Sequence, residues 1–340
     1  MRRLRPHRRP LVAGVVLLLS AALTACSGQS SDLTIYSGRN PELVDGLLQQ
    51  LEEQVGGTVE IRYAGSAELA AQLLEEGDAT EADVFFSQDA GALGALDEAG
   101  RLQPLPPVTL EAVPASYRAD DGSWVATSAR SRVIFFDPRQ VPEAEVPNTL
   151  EALVDPKWKG RIGYPPTNPS WQAFVTSVRV LLGEEGARQW LTAFAANEPK
   201  RYDNNILTLD AVDRGEIALG LSNHYYWYAR VAEVGLANVT ARVHYVPGGS
   251  PLGLVNVAGA GVIGTTDNPE MAQRAVDFLV GPTAQQYFAD VTAEYPVRPG
   301  VTSTVHDLAP LDSLQPPDID LSELASLQQT QSMLQETGLA

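Results

Sequence analysis

The sequence predicts an α/β fold of two lobes, each a mixed sheet flanked by helices, with a ligand cleft between them. Three observations predict it. Short apolar strand-like segments alternate with helical periodicities over residues 33–100. A long strand-like run at 124–136 follows a proline-rich break and is long enough to cross between lobes. A second alternation begins after it, and 340 residues suit two domains better than one.

The elements follow in order. Leu33-Thr34-Ile35-Tyr36-Ser37 reads as a short buried strand. The helix expected over 42–54 carries Leu43, Val44, Leu47, Leu48 and Leu51 on one face and stops at Gly56-Gly57. A strand at 59–63, a helix at 67–76, a strand at 82–87 and a helix at 90–100 complete the first unit. Such alternation with short links makes parallel strands covered by helices, and ligands bind beyond the C-terminal strand ends. Those ends are Ser37-Gly38-Arg39-Asn40, Ala64-Gly65-Ser66 and Ser87-Gln88-Asp89. Asp83 reads as a cap for local backbone, and Asp89 as the N-cap of the helix after it.

In the second unit, helices are expected over 172–182 and 184–197, and a buried strand over 217–222. Strands at 243–245 and 254–257 cross back, followed by helices at 269–279 and 283–289 and an amphipathic helix in the tail after Pro316. The predicted division is a first lobe of 33–125 plus 250–340 and a second lobe of 126–249.

The N-terminus stands apart. Arg2, Arg3, Arg5, Arg8 and Arg9 precede an apolar run at 11–23, which reads as a secretory signal and is too short for a membrane span. The expected boundaries are a signal at 1–25 and a lipidated cysteine with its tether at 26–32, since Leu23-Thr24-Ala25-Cys26 resembles the bacterial lipobox. Cys26 is the only cysteine, so no intrachain disulfide and no paired-thiolate metal site can form. The net charge is -18, which argues against a nucleic-acid surface, because phosphate binding depends on clustered Lys and Arg.

The densest chemical signal is Leu221-Ser222-Asn223-His224-Tyr225-Tyr226-Trp227-Tyr228. Ser222 or Asn223 is the expected N-cap, which puts Tyr225 and Tyr226 in the first turn of a helix. Free N–H groups and the positive dipole end lie there, and both favour a phenolate or a small anion. Adjacent helical residues point about 100° apart, so two phenol oxygens can converge on one ion. Fe³⁺ prefers anionic oxygen, and a bound cation stabilises the phenolate that neutral pH alone does not. The competing reading is aromatic packing, which suits Trp227 and Tyr228. His224, His244 and His306 lack the spacing of a zinc site. No GxSxG, HExxH or phosphate-binding loop is present, so nothing points to an enzyme. Arg130 and Arg132 lie on the long strand, with one expected to face the cleft and the other solvent or an ion pair.

Five segments together resemble the ferric-iron-binding proteins of bacterial ABC importers, in the same order. They are Ile35-Tyr36-Ser37-Gly38-Arg39, the run from Ala82 through Gln88 to Leu93, Ala129-Arg130-Ser131-Arg132-Val133, Asn223-His224-Tyr225-Tyr226-Trp227 and Glu294-Tyr295-Pro296-Val297. The resemblance implies a two-lobed, transferrin-like type II periplasmic substrate-binding fold. Tyr225 and Tyr226 fall where the family has its two iron-binding tyrosinates. Asn205 and Asn223 fall near positions that hold the site's anion, and Arg130 where some branches bind carbonate. Thr167, Asn168 and Ser170 occupy the loop that contacts the anion in others. Asn40 stands where some members have a histidine ligand, Gln88 where they have a glutamate, and Trp171 near a third tyrosine. The implied function is a lipid-anchored monomer that captures Fe³⁺ with carbonate or another small anion and hands it to a permease and its ATPase. The alternative is a same-fold receptor for a phosphonate, polyamine or thiamine, with Asn40, Gln88 and Trp171 lining its pocket and Trp227 stacking on a cationic ligand.

Overall fold

The structure, a computed structural model, describes residues 31–340. The basic start, the apolar run, Cys26 and most of the tether lie outside the described residues.

Eleven strands form one sheet: β1 Leu33–Ser37, β2 Val59–Tyr63, β3 Val84–Ser87, β4 Leu102–Gln103, β5 Val125–Phe136, β6 Ile162–Tyr164, β7 Lys200–Arg201, β8 Leu219–Asn223, β9 Arg242–Tyr245, β10 Val255–Ile263 and β11 Tyr295–Pro296. The main path runs β2-β1-β3-β10-β5-β8-β6-β7. Strands β1, β2 and β3 are parallel, as the alternation requires, whereas β10 runs antiparallel to both β3 and β5 and makes the sheet mixed.

The twelve residues of β5 serve two halves of the molecule. Its first part, to Ser131, pairs with β10, and from Arg132 to Phe136 it pairs with β8. Ser131 is therefore the point where the ladder changes partner.

Among the described residues eleven α-helices cover the sheet: α1 Pro41–Val55, α2 Ser66–Glu76, α3 Ala90–Glu98, α4 Pro107–Leu110, α5 Leu150–Leu153, α6 Pro169–Ala196, α7 Asn205–Asp213, α8 Tyr225–Val234, α9 Pro269–Leu279, α10 Pro282–Asp290 and α11 Leu327–Glu336. Helix α1 shows why the local sequence suffices. Asn40 accepts from the Glu42 N–H, Pro41 occupies the first turn, Val44, Leu47, Leu48, Leu51 and Val55 are buried, and Gly56 closes the helix at φ 74°. The helices expected at 172–182 and 184–197 are one element, α6, broken at Gly183, whose φ of 71° and ψ of 168° suit glycine. Helix α7 carries no clear periodic stripe, and the sequence reading passed over it.

Two large cores flank β5. One gathers β1, β3, β10, α1 and α9 around Tyr36, Phe85, Phe86 and Trp124. The other packs Trp158, Tyr164, Phe174, Trp190 and Phe194. Trp171 belongs to this second core, fully buried with its ring 4.7 Å from that of Tyr164. It is therefore not a cleft wall, because its indole lies on the packed face of α6.

The tail also departs from expectation. Residues 321–325 pack on α3, but Met333, Leu334 and Leu339 enter the second core, with α11 lying against α6. The range 250–340 is thus not confined to one half. A Cβ at Gly91 would run into the Leu324 carbonyl, and one at Gly94 would sit 3.0 Å from that of Ser322. Gly91→Val is accordingly expected to lift the tail off α3 at a cost of about 1–3 kcal/mol. Hydrogen exchange should then show faster amides at 321–326, with those of β1 and β3 unchanged.

Candidate functional site

The C-terminal strand ends, which direct ligands in this class of sheet, converge as expected. They surround a cavity of about 570 Å³. Asn40, Pro41, Asp89, Asn168, Pro169, Ser170, Ile206, Tyr225 and Tyr226 line it, so the N-terminal turns of α1, α3, α6, α7 and α8 all reach it. The positive dipole ends of five helices make this a region that favours negative charge.

Tyr225 and Tyr226 occupy the first turn of α8, with ring centroids 4.2 Å apart. Tyr225 is buried and Tyr226 half-buried. Neither Ser222 nor Asn223 caps this helix. Both belong to β8, the N-cap residue is His224 with no side-chain cap bond, and Ser222 Oγ donates instead to Asn205 Oδ1 at 3.0 Å. The strand runs on through Asn223, past the expected cap, because its ladder with β5 continues through Arg132 and Asn223. Burial, and then the neighbouring Tyr226, push the Tyr225 phenol well above its ordinary value, against an opposing pull from Arg130. Without a cation it is a neutral phenol. Trp227 and Tyr228 are packing residues: Trp227 Nε1 donates to Ala241 O at 2.8 Å, and Tyr228 Oη to Asp307 O at 2.8 Å.

Facing the tyrosines is a buried basic wall. Arg130 and Arg132 are both buried: Arg130 lines the cavity, while Arg132, which was then the one expected to face solvent or an ion pair, does neither among the described residues. Residues two apart on a strand share a face, but Arg132 stops short of the lining and reaches it through Ser170. Arg130 Nη2 donates to the Gln88 carbonyl, while its Nη1 has no hydrogen-bond partner among the described residues. Arg132 Nη1 donates to Ser170 Oγ at 3.1 Å. Burial lowers both guanidiniums, Arg132 to about 9, although Tyr225 and Tyr226 act in the opposite sense on Arg132.

The balancing charge is Glu294, fully buried, whose Oε2 accepts from Arg39 Nη2 at 2.6 Å and whose Oε1 lies 3.9 Å from Arg130 Nη1. Burial alone would raise its carboxyl, but Arg39 and then Arg130 hold it below the usual range. The sequence reading quoted Glu294 only as part of a match. A single acidic residue before Tyr-Pro gives no sign of two arginines 164 and 255 positions away.

The remaining candidates divide. Gln88 lines the cavity, and its Oε1 is buried without a partner. Asn40 lines it too, although its side-chain oxygen is engaged in capping α1. Asn168 and Ser170 line it and bond to each other, with Ser170 Oγ 2.7 Å from Asn168 Oδ1. Asn223 lines it directly. Asn205 sits behind, donating to Ser170 Oγ at 3.3 Å. Thr167 is exposed and outside the lining, because the turn into α6 aims it outward. Two carboxylates that the reading left out of the site, Glu42 and Asp89, also line the cavity. Asp89 does cap α3, accepting from Ala92 N at 3.0 Å, and burial raises its carboxyl. Among the described residues no group of three or more His, Cys, Asp or Glu is placed to hold a metal. The cavity therefore offers phenols, amides and separate carboxylates.

Similarity to known proteins agrees with this architecture. The profile of the bacterial extracellular solute-binding proteins matches residues 79–320. The major ferric iron-binding protein of Neisseria meningitidis serogroup B is 35% identical over 327 residues, covering 95% of this chain and 97% of that one. The Fe(3+)-binding periplasmic protein of Serratia marcescens is 30% identical over 330 residues, with 96% and 97% covered. Among solved structures, iron-bound HitA from Pseudomonas aeruginosa superposes with a TM-score of 0.83 at 33% identity, covering 90% of this chain and 99% of HitA. The chain belongs to the bacterial extracellular solute-binding proteins, in the family of the ferric iron-binding proteins.

Proposed function

We propose that this protein is the receptor of an ABC importer, capturing Fe³⁺ between Tyr225 and Tyr226 on one side and a small anion held by the arginine wall on the other. The observation that carries the reading is the tyrosine pair at a helix N-terminus, opposite the free Nη1 of Arg130 and the unpartnered Oε1 of Gln88. Two phenolates leave net positive charge on Fe³⁺. Carbonate or a similar planar anion would meet it, since a guanidinium presents parallel donors to such a group. Asn168, Ser170, Asn223 and Asn40 bound the space that the anion would fill, Asn205 supports Ser170 from behind, and Thr167 has no part. The organic-ligand alternative placed Asn40, Gln88 and Trp171 around the pocket and Trp227 against a cationic ligand; Asn40 and Gln88 line the cavity, but neither tryptophan does, so it lacks its aromatic walls.

The protein is a carrier, not a catalyst, and acts as a monomer that delivers iron to a permease and its ATPase. Cys26 supplies the lipid anchor that holds it on the extracytoplasmic face of the cell membrane, and nucleic acid is not a partner. Among the described residues no helix is long and apolar enough to cross a membrane. The lobes at 33–125 with 250–326, and at 126–249 with 327–340, close over the ion.

Ferric salt with bicarbonate should give the purified protein a visible tyrosinate-to-iron band and one iron per chain. A colourless, iron-free sample would refute the proposal. Binding should also be proton-linked. Tyr225 is a phenol held well above its ordinary value, so coordination must expel its proton. With two phenolates formed, affinity should fall by about 100-fold per unit drop in pH. A binding isotherm independent of pH between mildly acid and neutral buffer would contradict the phenolate ligands.

A further inference from the structure

We infer that His224 is a positioning residue that registers the tyrosine pair against the buried Arg39–Glu294–Arg130 cluster. The inference rests on the tyrosine reading above and adds a residue that does not touch the cargo. Helix α8 begins without a capping side chain, so something else must fix where its first turn lies. His224 does so from both ends of its ring. Its backbone N–H donates to Ser131 O at 3.1 Å, and its Nδ1 accepts from the Ser131 N–H at 3.2 Å. Ser131 is the residue at which β5 changes partner from β10 to β8. Because Nδ1 is the acceptor, Nε2 carries the proton and donates to Ala293 O at 2.9 Å. Ala293 holds a φ of 55°, uncommon outside glycine, and directly precedes Glu294. The ring also stacks on Tyr295, with centroids 4.5 Å apart. It meets Tyr225 edge-on at 5.9 Å.

One fully buried imidazole therefore joins three places: the strand junction, the loop that carries the buried counter-charge, and the residue next to the candidate ligands. Burying an imidazole requires partners for its ring nitrogens. Both are paired, to backbone groups on either side of the junction, so the ring acts as a spacer of fixed length. Tyr225 follows it by one residue, and a displaced ring would move the first turn of α8 relative to Arg130.

The test compares His224→Phe, which keeps the ring area and loses both bonds, with His224→Gln, which retains an N–H for Ala293 O. Each protein is loaded with ferric ion and bicarbonate. The readouts are the maximum of the tyrosinate-to-iron band and the rate of iron loss to ethylenediaminetetraacetate. Groups that orient metal ligands from behind typically change metal affinity by about 10–100-fold, so His224→Phe should release iron faster by that factor, with a shifted band. His224→Gln should lie between it and the unmodified protein. A band maximum and release rate unchanged in both, even with a lower melting temperature, would overturn the inference by reducing His224 to packing. If His224→Phe does not fold, an unchanged His224→Gln overturns it equally. A band in the unmodified protein with unaltered variants defeats this inference alone, whereas no band in the unmodified protein defeats the tyrosine reading with it.

Discussion

Replacing Tyr225 or Tyr226 with phenylalanine is expected to weaken iron capture sharply while leaving the fold in place. Substitution of a group that merely orients a metal ligand costs about 10–100-fold in affinity, so loss of a ligand itself should exceed about 100-fold. The phenylalanine ring keeps the 4.2 Å contact between the two aromatic rings, so the change is confined to the oxygen. Each single variant should weaken or shift the visible band, and the double variant should abolish it. Removing the Tyr225 hydroxyl deletes a polar group from a buried position, so the metal-free melting temperature should hold or rise slightly. Iron affinity in both single variants equal to that of the unmodified protein, measured by competition with citrate, would remove the tyrosines from the site.

The largest expected effect on stability is at Glu294. Its Oε2 accepts from Arg39 at 2.6 Å and from Ser128 and Thr292 hydroxyls at 3.2 Å each. Glu294→Leu leaves the Arg39 guanidinium buried and uncompensated and strips Arg130 of its neighbouring charge. Breaking one side of a buried ion pair costs about 3–5 kcal/mol, against about 0–1 kcal/mol for an exposed pair such as Arg214–Glu216. Glu294→Gln should fall between, since it retains an acceptor without the charge. The carboxyl is held below its usual range when folded. Its contribution is therefore present above the unfolded carboxylate value of about 4.3 and lost as the pH falls through the folded one. Urea midpoints at neutral and acid pH check both statements: the gap between Glu294→Leu and the unmodified protein should narrow in acid. A midpoint unchanged at neutral pH would show that the cluster contributes nothing net.

Much of the fold was legible because its signals are local. Helix α1 announces itself through Asn40-Pro41, a leucine stripe and Gly56, and the structure realises each. Asp89 caps α3 as its position before an apolar run suggested. Asp83, expected to cap local backbone, instead accepts from the Thr34 N–H on β1 at 2.7 Å, 49 positions away in the chain. Helix α7 escaped notice because Asn205, Thr208 and Asp210 interrupt its apolar pattern. The cap of the tyrosine helix was misplaced for a different reason. Ser222 and Asn223 have the chemistry of caps, but pairing with β5 kept them in the strand. Trp171 was assigned by analogy to the cleft, and only the packing of α6 reveals it as core.

The sequence by itself determined the alternation of strands and helices, the order of the ligand-directed strand ends and the adjacent tyrosines at a helix start. These depend on residues within a few positions of one another, where periodicity and capping act. The tertiary structure alone decided that Arg132 is buried along with Arg130, that Glu294 neutralises part of that wall, and that His224 ties the tyrosine turn to Ser131 and Ala293. Each of those facts depends on the energy of burying charge or an imidazole among partners brought together from distant parts of the chain. Burial is a property of the packed molecule, and no single stretch of sequence carries it.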